Sequence, residues 1–379
     1  QEGWDYFPNR PRGKPAYGGY FSQQELKGLV QYALERNIEI IPEIEMPGHS
    51  WAALYAYPKL SCSGVPFKKP SGVPFAFTDP FCAGNPYTYA FLEDVLDEVM
   101  AVFPSKYIHI GGDEAKHTPW ETCAKCQQLA KKQNIADMNG LQGYFMDRMA
   151  NYLISKGRTP MGWDEITHSN VSKEVIITSW QNIGAVKQAL DMGYKTVLCP
   201  SDYLYFDKYQ HGPQLETTSM SGIISLDTAY MFNIGSQSTS ILGIQGCLWT
   251  EHVPNAQKAF TQLLPRMLAV AELGWHHPAT KLLPAFRQKV SKHFGMLNTL
   301  GYNCFIEPPV VYPLITDFFR CCPYRNTQPL GQWHHFLPVA GHRRIYGVCP
   351  ALCPNQQQPV RDLHRFWEQP AQHRQQNTI

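Results

Sequence analysis

The sequence predicts an α/β protein built as an incomplete (β/α)8 TIM barrel, with strands 3 to 8 present and an irregular C-terminal tail. Between residues 20 and 300, short apolar runs alternate with amphipathic helices, as in successive βαβ units. The apolar runs lack polar alternation, which is typical of a sheet covered on both faces. Each of six predicted strands ends in a polar or aromatic residue, where such barrels build their active sites. A doubly wound sheet is the alternative, but no G-x-G-x-x-G sequence follows a first strand.

The first predicted elements are a helix, a strand, a second helix and a second strand. Ser22 begins an S-Q-Q-E capping box, and five apolar residues then fall on one helical stripe: Leu26, Leu29, Val30, Ala33 and Leu34. The β-branched run at 38–44 predicts a strand that ends at Met46-Pro47-Gly48-His49. A helix with an apolar face over 91–99 then leads to a strand at 107–110, which ends at Gly111-Gly112-Asp113-Glu114.

The remaining elements continue the same alternation. A helix at 141–154 leads to a strand at 159–163, and further short strands are predicted at 175–180, 195–198 and 241–249. Helices near 185–190 and 257–272 follow the first and the last of these three strands. Residues 1–320 are therefore assigned to a partial barrel.

The C-terminal residues, 321–379, differ in composition from the rest. They contain no lysine and two acids, but nine glutamines, seven prolines, five histidines and four cysteines, with no sustained period. A disordered tail without function is the favoured interpretation, and translation out of frame after about Phe319 is another. A zinc site is a third interpretation, with candidate ligands Cys321, Cys322, His334, His335, Cys349 and Cys353.

The overall composition excludes several classes of protein. Hydrophobic residues make up 44% of the 379 residues and charged residues 17%, which argues against general disorder and for a sizeable core. No run of about 18 apolar residues predicts a membrane span. The net charge of +2 gives no electrostatic case for nucleic acid binding. Aromatic residues reach 13%, which favours recognition of flat, weakly polar faces such as sugar rings.

The eleven cysteines leave two local questions. Cys123 and Cys126 form C-A-K-C, which is either half of a zinc site or a redox pair. A zinc site needs two more ligands, and no second C-x-x-C occurs, so the sequence predicts neither a metal nor a cofactor. Cys62 and Cys82 flank a Gly/Pro-rich segment and are predicted to form a disulfide if the protein is exported.

The sharpest motif is His109-Ile-Gly-Gly-Asp113-Glu114. Adjacent residues of a strand point to opposite faces, but a Gly-rich turn allows both carboxylates to face one cavity. Asp113 and Glu114 alone favour a solvated acidic turn. The other strand ends change this interpretation, because they add His49, Trp163 with Asp164 and Glu165, Trp180, Tyr205 with Asp207, and Trp249 with Glu251. Aromatic residues paired with carboxylates favour a sugar pocket.

The motif H-x-G-G-D-E is followed at later strand ends by G-W, S-W, Y-x-D and W-x-E. With these motifs in this order, the sequence resembles the β-N-acetylhexosaminidases, glycoside hydrolase family 20, over residues 18–309. The resemblance implies removal of terminal β-linked N-acetylhexosamine (GlcNAc or GalNAc) from glycans or glycoconjugates. It also implies substrate assistance, in which the acetamido oxygen of the sugar attacks C1 and forms an oxazolinium ion.

The same resemblance implies roles for individual residues. Glu114 is expected to be the general acid/base, and Asp113 to bind the acetamido N–H. Tyr205 is expected to donate to the acetamido carbonyl. The rest of the expected sugar site comprises aromatic walls and hydroxyl acceptors: Trp163, Trp180, Trp249, Asp207 and Glu251. His49 and His109 are expected to support the catalytic acids, although a core role suits His109 equally well.

Two departures from the family pattern shape the alternatives. The family's first strand carries an arginine that binds the sugar, and its second strand carries a supporting acid. Neither is found, and Arg10 and Arg12 are not assigned that role, so the chain is expected to begin in the loop after strand two. An inactive homologue that only binds N-acetylhexosamine is therefore one alternative. Another is a metal-dependent hydrolase using His49, His109 and Asp113.

The family also suggests a compartment. Its members mostly act in the periplasm, in the lysosome or outside cells, and the same is predicted for this chain.

Overall fold

The computed structural model describes residues 20–66, 79–169, 171–233, 238–276 and 281–308. The chain divides into two compact units, Gln1–Phe305 and Ile306–Ile379. Almost all of the described residues belong to the first unit, and the following account concerns that unit. Arg10, Arg12 and residues 321–379 lie outside the described residues, so the predictions made for them stay predictions.

One parallel sheet organises the first unit. The strands of the unit are, in chain order, β1 (Glu43–Met46), β2 (Tyr107–Gly111), β3 (Thr159–Trp163), β4 (Ile176–Ser179), β5 (Thr196–Leu198), β6 (Lys208–Tyr209), β7 (Met220–Ile223) and β8 (Ile241–Ile244). The sheet has the order β1-β2-β3-β4-β5-β8, and every neighbouring pair is parallel. The short strands β6 and β7 form a separate pair. Six parallel strands in sequential order match the predicted strand–helix alternation.

The helices connect these strands. They are α1 (Gln23–Leu34), α2 (Trp51–Ala56), α3 (Pro86–Val102), α4 (Thr118–Thr122), α5 (Ala124–Lys132), α6 (Met138–Ser155), α7 (Ile183–Asp191), α8 (Leu226–Met231), α9 (Ala256–Leu263), α10 (Arg266–Trp275) and α11 (Leu283–Thr299). None of the described helices is both long and apolar enough to cross a membrane. Because each connection returns the chain to the same edge, the carboxyl ends of the sheet strands lie side by side.

Helix α1 begins as predicted but buries less of its stripe than expected. The backbone N–H of Glu25 donates to Ser22 Oγ (N to Oγ 3.2 Å), and the Ser22 N–H donates to Glu25 Oε2 (2.7 Å), which completes the capping box. Val30 and Ala33 are buried, whereas Leu29 and Leu34 are 49% and 46% exposed. The capping residues therefore locate the start of the helix, while the apolar stripe overstates its contact with the core.

Three predicted boundaries differ from the structure, and two of the differences involve proline. Sheet pairing starts at Pro42, whose carbonyl accepts from the His109 N–H, so β1 begins later than residue 38. Pro265 has no N–H to continue a helix, and the predicted helix at 257–272 is divided into α9 and α10. The last strand ends at Ile244, and the following residues form the loop that carries Trp249.

A buried arginine ties the segment that follows β5 to the helix layer. Arg266, at the start of α10, has no exposed surface. Its guanidinium donates to the carbonyl oxygens of Phe206 (2.6 Å from Nη2), Lys208 (3.1 Å from Nη1) and Ile224 (2.9 Å from Nη1). These carbonyls lie outside the main sheet, and buried carbonyls need partners. Arg266 therefore satisfies the irregular backbone around β6 and β7.

Replacing this arginine is expected to destabilise the fold. In Arg266→Met the Lys208 and Ile224 carbonyls lose their guanidinium donor, whereas the Phe206 carbonyl keeps a hydrogen bond from Gln262 Nε2 (3.2 Å). Each buried unpaired acceptor costs about 1–3 kcal/mol, so we expect a loss of roughly 2 kcal/mol or more in the free energy of unfolding. Urea denaturation measures this loss. Lys289→Met is the matched control, because it removes an exposed ion pair with Glu272 and is expected to cost less than about 1 kcal/mol. If the two variants unfolded at the same urea concentration and with the same slope, the assigned role of Arg266 would be contradicted.

Candidate active site

The glycine-rich turn after β2 places two adjacent carboxylates at the end of the sheet. Gly111 and Gly112 have φ angles of 69° and 105°, in the left-handed region that favours glycine. A Cβ atom on Gly111 would lie 2.1 Å from Glu45 Oε2, and one on Gly112 would lie 2.3 Å from Ile166 Cγ2. Only glycine therefore fits at both positions.

A single imidazole joins the two carboxylates of this turn. His49 Nε2 lies 3.1 Å from Asp113 Oδ2 and 3.3 Å from Glu114 Oε2. The hydrogen bond to Asp113, and to a smaller extent the one to Glu114, raises the pKa of His49 to about 10. His49 is therefore a cation at neutral pH, and Asp113 and Glu114 face the same side of the turn.

Asp113 and Glu114 differ in their access to solvent. The Asp113 side chain is 15% exposed and the Glu114 side chain 54%. Burial favours the neutral form of Asp113, but hydrogen bonds from His49 and Glu45 outweigh burial and keep the pKa of Asp113 below its ordinary value. The turn thus presents one buried, ionised carboxylate beside one that is open to solvent.

Two acids on β1 complete the surroundings of Asp113, and the sequence analysis missed both. Burial, followed by repulsion from Asp113, raises the pKa of Glu45 to about 11, so Glu45 is protonated and donates to Asp113. Glu45 Oε2 and Asp113 Oδ1 are both buried without another hydrogen-bond partner among the described residues, which leaves them free for each other or for a ligand. Glu43 Oε1 accepts from Trp163 Nε1 at 2.8 Å. The available signal was the i, i+2 spacing, which places both acids on one face of the strand.

Four aromatic rings form a continuous row at the strand ends. The ring centroids of Trp163 and Trp249 are 5.9 Å apart, those of Trp249 and Tyr205 6.3 Å, and those of Tyr205 and Trp180 5.7 Å. Trp163 also donates to Glu45 Oε1 at 3.3 Å, and Glu45 contacts Asp113. The aromatic row is therefore joined to the carboxylate turn through Trp163 and Glu45.

Carboxyl groups after β3 fix one end of the aromatic row. Trp180 Nε1 donates to Glu165 Oε2 at 2.9 Å, and burial raises the pKa of Glu165 to about 8. Asp164 Oδ2 accepts from Ser179 Oγ at 2.7 Å and from the Trp180 N–H at 3.1 Å, while burial raises the pKa of Asp164. Asp164 and Glu165 were noted only as neighbours of Trp163, yet they orient Trp180.

Two further acids lie next to the aromatic row in sequence and leave acceptors unused. Burial, together with repulsion from Glu251, raises the pKa of Asp207 to about 6. Asp207 Oδ1 and Glu251 Oε2 are both buried without a hydrogen-bond partner among the described residues. Buried acceptors of this kind are normally paired, so both atoms are suited to a ligand that carries hydroxyl groups.

His109 lies behind the site. It is 5% exposed, and its Nδ1 accepts from the Gly111 N–H at 3.1 Å. Burial lowers its pKa, so the ring is neutral. Donor atoms of His49, Asp113 and Glu114 lie within 4.8 Å of one another, but His109 is not among them, so the ligand set of the metal-dependent hydrolase hypothesis does not assemble.

The predicted disulfide between Cys62 and Cys82 is wrong in this structure, where both residues are free thiols. Each of them instead contacts Cys126, with Sγ–Sγ distances of 3.8 Å for Cys62 and 3.7 Å for Cys82. The disulfide would have supported export. The compartment therefore stays a prediction from the family resemblance alone.

The charge on His49 can be measured directly. We expect the imidazole signal of His49 to stay in the protonated form up to about pH 9, because two carboxylates stabilise the cation. Since the folded-state pKa is raised above the ordinary value of about 6.5, the stabilisation that His49 contributes is full below pH 6.5 and is lost as the pH rises through about 10. Two-dimensional NMR of the histidine rings reads the titration, and His49→Gln assigns the signal. Asp113→Asn should lower the pH midpoint of the His49 titration. An unchanged midpoint would contradict the ion pair between His49 and Asp113.

Sequence comparisons place the chain beside known hydrolases. The model of "Glycosyl hydrolase family 20, catalytic domain" matches residues 6–278. The chain is 35% identical over 300 residues to a β-hexosaminidase of Porphyromonas gingivalis, covering 77% of this chain and 38% of that protein. It is 33% identical over 267 residues to a β-hexosaminidase of Vibrio furnissii, covering 68% of this chain and 44% of that protein. The chain thus spans about two fifths of these relatives.

Solved structures agree with the sequence comparisons. A β-N-acetylhexosaminidase from Bacteroides fragilis matches with a TM-score of 0.66 and 32% identity, over 77% of this chain and 60% of that chain. An exo-β-N-acetylglucosaminidase from Vibrio harveyi, in complex with N-acetylglucosamine, matches with a TM-score of 0.68 and 28% identity. The match covers 76% of this chain and 47% of that chain. These matches and the parallel α/β sheet fit a TIM-barrel-like fold. The chain belongs to glycosyl hydrolase family 20.

Proposed function

We propose that the chain carries the active site of an enzyme that removes terminal β-linked N-acetylhexosamine, GlcNAc or GalNAc, from glycans or glycoconjugates by a substrate-assisted, retaining mechanism. The observation that carries the proposal is the pair formed by buried, ionised Asp113 and exposed Glu114 on one histidine cation. Family membership supports the reaction class, and family-20 enzymes of this kind use the substrate's own acetamido group as nucleophile.

Asp113 is proposed to bind the acetamido N–H and to face the positive charge that develops on the sugar. A carboxylate has about four acceptor positions, and His49 and Glu45 use two of them. The rest can accept from the substrate. As the acetamido carbonyl oxygen attacks C1, positive charge spreads over the forming oxazolinium ring. A fixed negative charge in a buried site stabilises that transition state more than it stabilises the neutral substrate.

Glu114 is proposed to act as the general acid and then as the general base. In its protonated form it gives a proton to the glycosidic oxygen as the C1–O bond breaks. It later takes a proton from the water that opens the oxazolinium ring and restores the retained configuration. Its 54% exposed side chain suits contact with a leaving group and with water. The adjacent His49 holds Glu114 and Asp113 on one side.

The aromatic row is proposed to enclose the N-acetyl group and the sugar ring. Trp163, Trp180 and Trp249 supply apolar walls, and the Tyr205 hydroxyl donates to the acetamido carbonyl oxygen. The unpaired acceptors of Asp207 and Glu251 are proposed to bind sugar hydroxyls, which would satisfy both buried oxygens. A closed wall also holds the acetamido group in an attacking pose and keeps water from C1.

We further propose that the six-stranded sheet is part of an eight-stranded barrel, and that this barrel ends near residue 320. The sequential parallel order from β1 to β8 supports this, because a closed barrel requires it. Within the described residues, β1 and β8 are the two edges of the sheet, where further strands would pair.

The two carboxylates can be separated by their dependence on the leaving group. Glu114→Gln should lower hydrolysis by about 100-fold or more for alkyl glycosides, which need a proton on the leaving oxygen. Aryl glycosides with a good phenolic leaving group should keep a near-normal first step, because they depart without that proton. Asp113→Asn should slow both substrate types by a similar factor, since charge stabilisation is required in either case.

Steady-state and pre-steady-state rates with nitrophenyl and methyl N-acetyl-β-glucosaminides measure this difference. Lys156→Gln, which removes an exposed ion pair with Asp97 on the helix layer, is the control and should leave both rates unchanged. The same dependence on the leaving group for both carboxylate variants would contradict the roles. Sugar binding without any release by the unchanged protein would instead favour the binding-only alternative.

Substrate assistance makes a prediction about the sugar itself. Aryl β-glucosides without the 2-acetamido group should react at least about 100-fold more slowly, because the internal nucleophile is absent. No glycosyl ester should form on Asp113 or Glu114 of the unchanged protein during turnover, because the acetamido oxygen occupies C1 instead. Mass spectrometry of the intact protein after reaction with a fluorosugar detects such an ester, and its presence would contradict the substrate-assisted mechanism.

A further inference from the structure

Four cysteines outside the active site converge on one point. Cys62 and Cys82 belong to the long connection after β1, and Cys123 and Cys126 lie at the start of α5. The four Sγ atoms all lie within 4.8 Å of one another, and none is in a disulfide. The C-x-x-C pair, Cys123 and Cys126, therefore lies beside two further sulfur ligands, Cys62 and Cys82. No second C-x-x-C motif in the sequence indicated these two ligands.

Three of the six distances between the sulfur atoms match tetrahedral coordination, and the other three are no longer than 4.8 Å. The Sγ–Sγ distances are 3.8 Å for Cys62–Cys126, 3.8 Å for Cys82–Cys123 and 3.7 Å for Cys82–Cys126. Zinc bonds thiolate sulfur at about 2.3 Å, so the sulfurs of a tetrahedral site are about 3.8 Å apart. Two disulfides would instead give two contacts of about 2 Å. We propose that Cys62, Cys82, Cys123 and Cys126 bind one structural Zn²⁺ ion.

The surroundings suit thiolate ligands. The Gly84 N–H donates to Cys126 Sγ at 3.3 Å. Cys123 is the N-cap of α5 and Cys126 lies in its first turn, where the helix dipole stabilises negative charge. A Cβ atom on Gly84 would lie 2.2 Å from the Lys125 carbonyl carbon, so glycine allows the Cys82 segment to approach the C-x-x-C turn this closely.

The site is closed on one side and accessible on the other. Cys82 and Cys126 have no exposed surface, which suits a structural ion with no open coordination position. Cys62 and Cys123 border a cavity of about 340 Å³, through which the ion can enter. Binding replaces four S–H bonds with four Zn–S bonds and releases four protons, which leaves a net charge of −2 on the ion and its ligands.

The proposed ion joins the two connections that carry the catalytic groups. The connection after β1 carries His49 as well as Cys62 and Cys82, and the connection after β2 carries Asp113 before Cys123 and Cys126. Phe81 links them further, because its N–H donates to the Pro47 carbonyl (2.8 Å) and its carbonyl accepts from Trp120 Nε1 (2.9 Å). The ion therefore stabilises the packing of these two connections against each other.

Metal analysis of the full 379-residue chain tests the proposal. Protein purified without chelator, or incubated with Zn²⁺ and desalted, should hold about one zinc per chain by plasma mass spectrometry. Co²⁺ in place of Zn²⁺ should give the visible absorption of a tetrahedral thiolate complex. Protein that retains no zinc after incubation overturns the proposal, and so does an intact mass lowered by four hydrogens, which indicates two disulfides. Stoichiometric iron in place of zinc overturns the assignment of the ion.

Substitutions of Cys62, which is partly exposed, provide a second test of the zinc site. Cys62→Ser should weaken Zn²⁺ affinity by at least about 100-fold in competition with a chelator, and it should lower the melting temperature by several degrees. Cys62→His supplies another zinc ligand and should retain the ion. Cys304→Ser is the matched control, because Cys304 is a partly exposed free thiol outside the cluster. Equal zinc affinity in Cys62→Ser and Cys304→Ser would overturn the ligand set, whatever the activity of the protein.

Discussion

Asp113 keeps a negative charge in a buried position because the His49 cation lies 3.1 Å away. Burial alone would neutralise the carboxylate, and the site would then lose the charge that we propose faces the sugar. The same contact fixes the imidazole, and through it the exposed Glu114. The geometry of the turn after β2 and the protonation of the acids around it are both consistent with this one ion pair.

Two other acids of the site are protonated, because burial and neighbouring carboxyl groups disfavour their charged forms. Parallel strands bring several carboxyl groups to one sheet edge, and like charges in a poorly solvated region cannot all ionise. Glu45, with a pKa of about 11, takes up a proton and becomes a donor to Asp113. Glu165, with a pKa of about 8, also stays largely neutral at pH 7 while it accepts from the Trp180 indole. The neutral acids Glu45 and Glu165 therefore orient their neighbours, while Asp113 stays ionised.

Local sequence signals predicted the strands and the carboxylate turn, because apolar runs, capping residues and paired glycines act over a few residues. The turn at Gly111 and Gly112 was expected for this reason and has the left-handed dihedrals. Contacts between distant segments had no such signal. Glu45 lies 68 positions before Asp113, and its role depends on burial that only the assembled sheet creates. The four-cysteine cluster was missed for the same reason, since its ligands come from two separate connections.

The two connections that follow β1 and β2 meet at several separate places, including the hydrogen bond from Trp120 Nε1 to the Phe81 carbonyl. At the sheet edge they are joined by His49 and Asp113, and farther out the Sγ atoms of Cys82 and Cys126 lie 3.7 Å apart. One contact leaves two long connections free to rotate about it, whereas further contacts away from it restrict their relative orientation. Between them, a Cβ atom on Gly48 would lie 3.0 Å from the Asp113 carbonyl oxygen, so the backbones already touch. Because catalytic groups must be held within about 0.5 Å of a productive position, the outer contact supports the inner one without taking part in the chemistry.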